Sequence, residues 1–574
     1  MPKIEVYEKT FYDYVGRSMS TEELEAILPV AKAELDGRDE KEGILKIELN
    51  DTNRPDLWST AGLARQLRIY LGGQIPAYDF FSTRERMKDP GSRRVIVEES
   101  VRSVRPYIVA FEVSGKKVDE ASLKDIIQTQ EKLCWNFGRK RKSIAMGFHR
   151  AELISYPIHY RAADPDATKF VPLGMTEELS LRQILERHPK GVEFGQIVAD
   201  YPAFPYLHDD SGETISFPPV INSARIGGVK VGNDRLFVDI TGTDIKSLML
   251  AAAIVACDLT DSGFTILPVS VEYPYDTPMG RRYVTPYYFQ REESVELKAA
   301  EKLLGVTLKP AEAKEALRRM GVQTVDSPVQ ENGRLTIRVP EYRNDFLHQV
   351  DIIEDIMIGR GMSSFEPVMP KDFTVGRLSG AELFARKTKL IMVGLGFQEM
   401  IYNYLSSRKE YIEQMYPESF WSEAERHIVR IANPMTENYE YVRCSTLPAL
   451  LASESVSGNA VYPHKIFEVG KVAYIDESEN TGTKTSNYLG FLASDRDANF
   501  NQINSFVNAL FYFLVKDYTL KESEDPRFIS GRSADIVVSG KKVGIFGEIH
   551  PEVLTRWGIT MPCVACELDL DSLA

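Results

Sequence analysis

The spacing of the apolar residues changes repeatedly along this chain, which excludes both a single repeated unit and one continuous core for its 574 residues. Three to four domains are expected. Ser20 and Glu23 have capping-box spacing ahead of an apolar-periodic stretch from Leu24 to Leu35, so a helix is expected there. A strand over 44–49 leads into Asn50-Asp51-Thr52-Asn53-Arg54-Pro55-Asp56, a turn rich in residues that bond their own backbone. A second helix, over about 59–71, ends at Gly72-Gly73. The charged stretch 82–92, with Pro90-Gly91, reads as a linker. Residues 93–270 mix strands (108–113, 143–148, 220–221, 236–240) with helices (119–137, 244–257), an α+β pattern. Between 285 and 369, two short helices (294–304 and 311–320) are each closed by glycine, and a strand at 335–339 and a helix at 347–359 follow. That is the pattern of a compact winged-helix-like module. From 370 to 574, helices (381–393, 506–515) alternate with short turn-linked strands (465–469, 488–492, 536–538, 543–548, 564–568), expected as a largely antiparallel sheet. The expectation is a multidomain α+β chain with domains at 1–85, 93–270, 285–369 and 370–574.

Charge narrows the partners. Acidic residues number 83 against 69 basic, a net charge of −14, whereas a protein that grips nucleic acid unaided is usually basic. Any such contact needs local basic patches or a second subunit. One basic run, Arg139-Lys140-Arg141-Lys142, is either a solvated turn between helix and strand or a phosphate contact. No apolar run reaches the roughly 20 residues of a membrane helix, and the N-terminus has no apolar signal core, so a cytoplasmic protein is expected. The five cysteines show no pairing framework, and Cys563-Val564-Ala565-Cys566 lacks the second ligand pair that a zinc knuckle needs.

The chain carries no phosphate loop, no H-E-x-x-H and no G-x-S-x-G elbow. Its sharpest local feature is acidic. Asp351, Glu354 and Asp355 stand at i, i+3 and i+4, one helix face, and Asp345 just before them can fold back to the same end. Converging carboxylates repel, and a hard dication such as Mg²⁺ relieves that. Acidic residues at a helix start also complement the helix dipole. Spacing alone leaves both readings open.

Seven segments, in order, resemble phenylalanyl-tRNA synthetase β chains along nearly the whole sequence. Asn53-Arg54-Pro55-Asp56-Leu57 with Gly62-Leu63-Ala64-Arg65 resembles the N-terminal signature of that family. Residues 138–147, 218–223 and 237–244 are similar to its B3/B4 domain, and the acidic cluster to its B5 motif. Ile431-Ala432-Asn433-Pro434-Met435, and Gly531-Arg532-Ser533-Ala534 with residues 547–553, look like its C-terminal domain. The resemblance is to the shorter, archaeal and eukaryotic type. It implies a B3/B4 editing-type domain, a winged-helix-like B5 domain and a degenerate class II synthetase core. It also implies an α₂β₂ partnership with an α subunit that aminoacylates tRNA(Phe), with Mg²⁺ at Asp345, Asp351, Glu354 and Asp355. No aminoacylation site is expected in this chain, because Arg443-Cys444-Ser445 has serine where class II motif 2 has glutamate. Phenylalanine and tyrosine differ by one hydroxyl, which a hydrophobic pocket rejects only about a hundredfold. A second, hydrolytic site for Tyr-tRNA(Phe) is therefore useful, and its expected lining is Asn222, Ser223, Asp239, Thr241, Thr243 and Asp244. The same residues read equally well as turn bonds and a cap on the following helix. Two departures from the family bear on editing: the glycine-rich stretch 224–230, and His149-Arg150 where His-Asp is usual. The alternative is a stand-alone nucleic-acid-binding or regulatory protein built on the B5-like module.

Overall fold

The computed structural model describes residues 2–325 and 333–574, which divide into two compact units, 1–368 and 369–574. The first unit begins with a small antiparallel sheet in which Ile44–Leu49 lies between Lys3–Tyr7 and Ala33–Asp39. The Ser20 capping box forms as expected, but the helix spans only Thr21–Ile27. Pro29 enters a 3₁₀ turn, and the chain from Ala33 turns into strand.

Helix Thr60–Tyr70 is the hub of this unit, packing against helices Glu8–Val15, Ile245–Asp261 and Pro310–Arg319. Its sequence shows why. A Cβ at Gly62 would overlap the carbonyl oxygen of Asp56, so only glycine allows the preceding turn to close on the helix. Arg65, buried, donates to Asp258 (3.1 Å) and Asp261 (2.8 Å) on the neighbouring helix and lies 3.9 Å over the ring of Tyr342. The N-terminal signature is therefore a packing device.

Ten strands form the large sheet. Its order runs Ile221–Asn222, Thr214–Phe217, Phe204–His208, Ile158–Ala163, Arg94–Val97, Thr265–Glu272, Tyr107–Ser114, Leu236–Gly242, Ile144–Arg150, with Arg282–Thr285 pairing Thr265–Glu272. Helix Ile245–Asp261, apolar on nearly every side, packs against Tyr107–Ser114, Leu236–Gly242 and Thr265–Glu272. One continuous hydrophobic core runs from Ile4, Phe11 and Leu67 to Val109, Leu248 and Tyr283. That core draws on residues either side of the expected linker, while 83–92 itself is mostly exposed.

The module after this sheet has its own core, three helices (Leu297–Leu304, Pro310–Arg319, Gln349–Arg360) on a three-stranded sheet. The helix expected from residue 294 begins at Leu297, because Glu292–Glu296 is drawn into pairing with Arg334–Arg338.

The second unit is a seven-stranded sheet, antiparallel but for the edge pair Gln398–Glu399 with His464–Ile475. Its strands exceed the expected short ones, and His464–Ile475 and Thr483–Ser494 each have 12 residues. Helices Gly380–Gly394 and Phe500–Leu514 share a core with Val564, Cys566 and Leu568, while Leu447–Val456 and Pro551–Trp557 pack with Cys563 and Ala565. Cys563 and Cys566 thus face opposite sides of one strand, so their spacing cannot form a chelate.

Candidate functional site

A cavity of about 440 Å³ opens beside the large sheet, within the size range of small-molecule sites. Strand Leu236–Gly242 supplies Asp239 and Thr241, two residues apart and hence on one face. Strand Ile144–Arg150 supplies Met146, Gly147 and Phe148; strand Thr214–Phe217 and the following turn supply Ser216 and residues 218–222; helix Glu120–Lys132 supplies Ile126 and Gln130. The walls are mainly apolar, with Gln130, Ser216, Asn222, Asp239 and Thr241 and the cations Arg141, Lys190 and Lys230 as polar groups.

Three features of the lining are informative. Ser216 is 2% exposed, and its Oγ is buried with no hydrogen-bond partner. A buried hydroxyl of that kind is costly unless a ligand or water meets it. Asp239 Oδ1 pairs with Nε2 of the buried His149. Gly147 stands on strand Ile144–Arg150 directly opposite Asp239, and a Cβ there would overlap the His149 ring nitrogen, so glycine at 147 is what lets the pair form. Thr241 Oγ1 accepts from Arg105 Nε (3.0 Å), and Arg105 also donates to the Thr241 carbonyl (2.6 Å).

Of the six residues expected here, Asn222, Asp239 and Thr241 line the cavity. Ser223 does not: its Oγ accepts from the Ile226 backbone in a turn (3.2 Å). Thr243 is exposed beyond the strand end, its N–H donating to the Ser143 carbonyl (3.3 Å), and Asp244 caps helix Ile245–Asp261 by accepting from Ser247 N–H (2.9 Å). Ser216, Gly147, His149 and Gln130 were not anticipated as site residues. The glycine-rich stretch carries Gly227 and Gly228, which line the cavity, and Arg150 pairs with the Arg225 carbonyl.

The acidic cluster behaves differently from the repelling set that spacing suggested. Arg343, fully buried, stands between two of its carboxylates. It donates to Asp345 (3.0 and 2.5 Å) and to Asp355 (2.6 and 3.1 Å). Arg54 approaches Asp345 to 4.0 Å and forms a two-pronged pair with Asp56 (2.8 Å each). Burial opposes the charge on Asp345, but Arg343 and Arg54 overcome it and hold the carboxyl well below its usual range; burial pushes Asp355 up. Asp351 turns back to accept from the N–H groups of Leu347 and His348 (2.7 Å each), and Glu354 pairs with Lys32 (3.0 Å). Among the described residues no group of three or more His, Cys, Asp or Glu is placed to hold a metal ion. As a four-carboxylate Mg²⁺ cage the set does not fit this geometry, because a guanidinium already occupies its centre.

In the second unit, Arg443 is buried against Glu468 (2.7 and 3.1 Å), the Lys471 carbonyl (2.7 Å) and the ring of Tyr404 (4.5 Å). Ser445 donates to Glu567 (2.8 Å). Neither is available to a nucleotide.

Comparison with known proteins bears on what this geometry belongs to. A model of the phenylalanyl tRNA synthetase beta chain CLM domain matches residues 366–570, and a model of the tRNA synthetase B5 domain matches 294–362. Phenylalanine–tRNA ligase beta subunits from Borrelia garinii subsp. bavariensis and Borreliella burgdorferi are each 46% identical, across 100% of this chain and 99% of theirs. The chain belongs to the phenylalanine–tRNA ligase beta-subunit family. An N-terminal fragment of the phenylalanyl-tRNA synthetase beta-subunit from Pyrococcus horikoshii is 37% identical, with a TM-score of 0.58, over 63% of this chain and 100% of that one. Membership of the beta-subunit family sets aside the stand-alone regulatory protein that the B5-like module allowed. The two Borrelia-group relatives are bacterial, so the archaeal and eukaryotic type does not follow from membership. No helix among the described residues is long and apolar enough to cross a membrane.

Proposed function

We propose that the chain works in the cytoplasm as the β half of an α₂β₂ phenylalanine–tRNA ligase, and that its cavity hydrolyses Tyr-tRNA(Phe). Joining ATP, phenylalanine and tRNA(Phe) is assigned to the partner α subunit. The observation that carries the hydrolytic reading is the unpartnered Ser216 hydroxyl in a mainly apolar pocket that also holds Asn222, Asp239 and Thr241. Apolar walls suit an aromatic ring, and an orphaned hydroxyl rewards a ligand that carries a matching polar group. Water adds to the ester carbonyl, the carbon–ribose oxygen bond breaks, and the ribose oxygen leaves with a proton. Asp239, held by His149, orients the water or the substrate ammonium; no side chain here needs to act as a nucleophile.

The segments 1–85, 93–270, 285–369 and 370–574 are retained as functional domains, the first two sharing one core. The match to a Pyrococcus fragment and the equal length of the bacterial relatives support the short type found in archaea and eukaryotes. A Mg²⁺ shared with the α subunit is assigned to Asp351 and Glu354, which are partly exposed and held only by backbone N–H groups and Lys32, whereas Asp345 and Asp355 are locked on Arg343. Mn²⁺ paramagnetic resonance on the assembled enzyme tests that assignment, and an unchanged spectrum in Glu354→Gln removes it. The hydrolytic reading is tested by deacylation of preformed Tyr-tRNA(Phe) by the assembled enzyme. Asp239→Asn and Ser216→Ala are expected to slow deacylation while Phe-tRNA formation is retained. Deacylation by the unaltered enzyme at the uncatalysed rate refutes it.

A further inference from the structure

A second concavity of about 390 Å³ adjoins the cavity and shares Ile127, Gln130, Arg141 and Lys190 with it. Its rim is built by an unusual backbone. Helix Glu120–Lys132 runs into a π-turn, Leu133–Phe137, and then Arg139, Lys140 and Arg141 follow with φ of 51°, 54° and 67°. Three successive residues with a Cβ in the left-handed region are disfavoured by contact with the following carbonyl. Such backbone persists where its surroundings over-determine it, most often at functional sites.

The surroundings do so here. Arg105 donates to the carbonyls of Lys142 (3.1 Å) and Arg141 (3.3 Å) with the same guanidinium that holds Thr241 in the cavity. Arg141 donates to the carbonyls of Pro219 (3.1 Å) and Val220 (3.0 Å) in the cavity wall and lies 4.2 Å over Phe194. The turn is thus bolted to the cavity, and Arg139, Lys140 and Lys142 are left exposed. Lys140 lies 5.2 Å over the ring of Trp135, a residue 47% exposed. Lys190, on helix Pro189–Phe194, pairs with Glu193 (3.0 Å). Glu131 is the one acid among the residues lining the concavity.

In a chain of net charge −14, a fixed row of cations with an exposed indole, contiguous with the open cavity, has the makeup of a single-stranded nucleic-acid groove: charges for the backbone and an aromatic face for a base. Resting on the hydrolytic reading above, we propose that this rim seats the single-stranded 3′ end of the tRNA. Arg139, Lys140, Lys142 and Lys190 meet its phosphates and Trp135 stacks one of its last bases, which places the 3′-terminal ester at the cavity mouth.

The probe is a short RNA hairpin with a single-stranded CCA end that carries tyrosine through a non-hydrolysable amide, titrated against the full chain. Arg139→Gln/Lys140→Gln/Lys142→Gln is expected to weaken binding at least tenfold at 0.1 M salt and to lower the slope of log affinity against log salt by about 2. Trp135→Ala is expected to weaken it about tenfold with the slope kept. Lys190→Gln lies outside the turn and decides the matter if the triple variant melts early. Wild-type affinity and slope in Lys190→Gln and the triple variant overturn the proposal, as does equal competition by an acidic peptide of the same charge. Deacylation of Tyr-tRNA(Phe) is measured alongside. Binding lost in the variants with no deacylation by the unaltered enzyme keeps the rim and removes the hydrolytic reading; deacylation intact with binding unchanged does the reverse.

Discussion

Replacing Arg343 with methionine separates an ion-paired cluster from a metal-bound one. The side chain is fully buried and donates to both Asp345 and Asp355. Methionine keeps the length and removes the charge, leaving two buried carboxylates about a shared void. Breaking a buried pair in this way costs about 3–5 kcal/mol. At about 1.3 °C per kcal/mol for a unit of this size, the melting transition of residues 1–368 falls by about 4–6 °C. Scanning calorimetry of the full chain resolves it. Mg²⁺ enters the vacated place in the variant, and at ten times its dissociation constant it returns about 1.4 kcal/mol. Asp345→Asn and Asp355→Asn, added to the methionine variant, return more, because no charge is then left unpaired. EDTA leaves the unaltered chain as it was. If EDTA lowers the melting of the unaltered chain as far as the methionine substitution was expected to, and the substitution itself does nothing, a bound cation rather than Arg343 carries the cluster and the argument fails.

Three further outcomes are expected. Asp258 shares Arg65 with Asp261, and burial pushes its carboxyl up to about 7. The folded state therefore holds a proton that the unfolded chain releases near 3.9, so stability falls by up to about 1.4 kcal/mol per pH unit from pH 4 to 7; melting curves of Asp258→Asn lose that slope, and an unchanged slope contradicts the assignment. Gly62→Ala drives a methyl into the Asp56 carbonyl and destabilises the first unit by several kcal/mol, about the range of severe backbone clashes, read as an early melt; a wild-type melt rejects the close approach. Gly147→Ala wedges apart His149 and Asp239, so Tyr-tRNA(Phe) deacylation drops while Phe-tRNA formation persists, and deacylation at the normal rate dismisses the pair.

Local signals in the sequence located most helices and the central strands, because caps, glycine stops and apolar periods act over a few residues. What they missed was set by pairing. Residues 294–296 carry a helical pattern, yet Arg334–Arg338 recruits them into a sheet. The long strands of the second unit extend beyond their apolar centres, since Thr483–Ser494 pairs along its length with His464–Ile475. The site shows the same division. Asp239 and Thr241 were legible because strand alternation puts i and i+2 on one face. Thr243 and Asp244 continue that sequence but lie past the strand's end at Gly242, where the alternation no longer holds. Ser216 and Gly147 reach the cavity from strands far apart in sequence, which no local pattern reports. The acidic residues were read as a set of carboxylates, but Arg343 takes its place between Asp345 and Asp355 only because a turn of chain folds back on the helix.

The core shared by residues from Ile4 to Tyr283 has a consequence for how such a chain is inherited or rebuilt. A pocket-bearing sheet cut free at residue 93 would leave behind helix Thr60–Tyr70 and expose the apolar face of Ile245–Asp261 that rests on it. The first seventy residues are thus a passenger that the pocket cannot travel without, and an exchange of specificity between two such enzymes has its natural seam at the far end of the first unit, near residue 368.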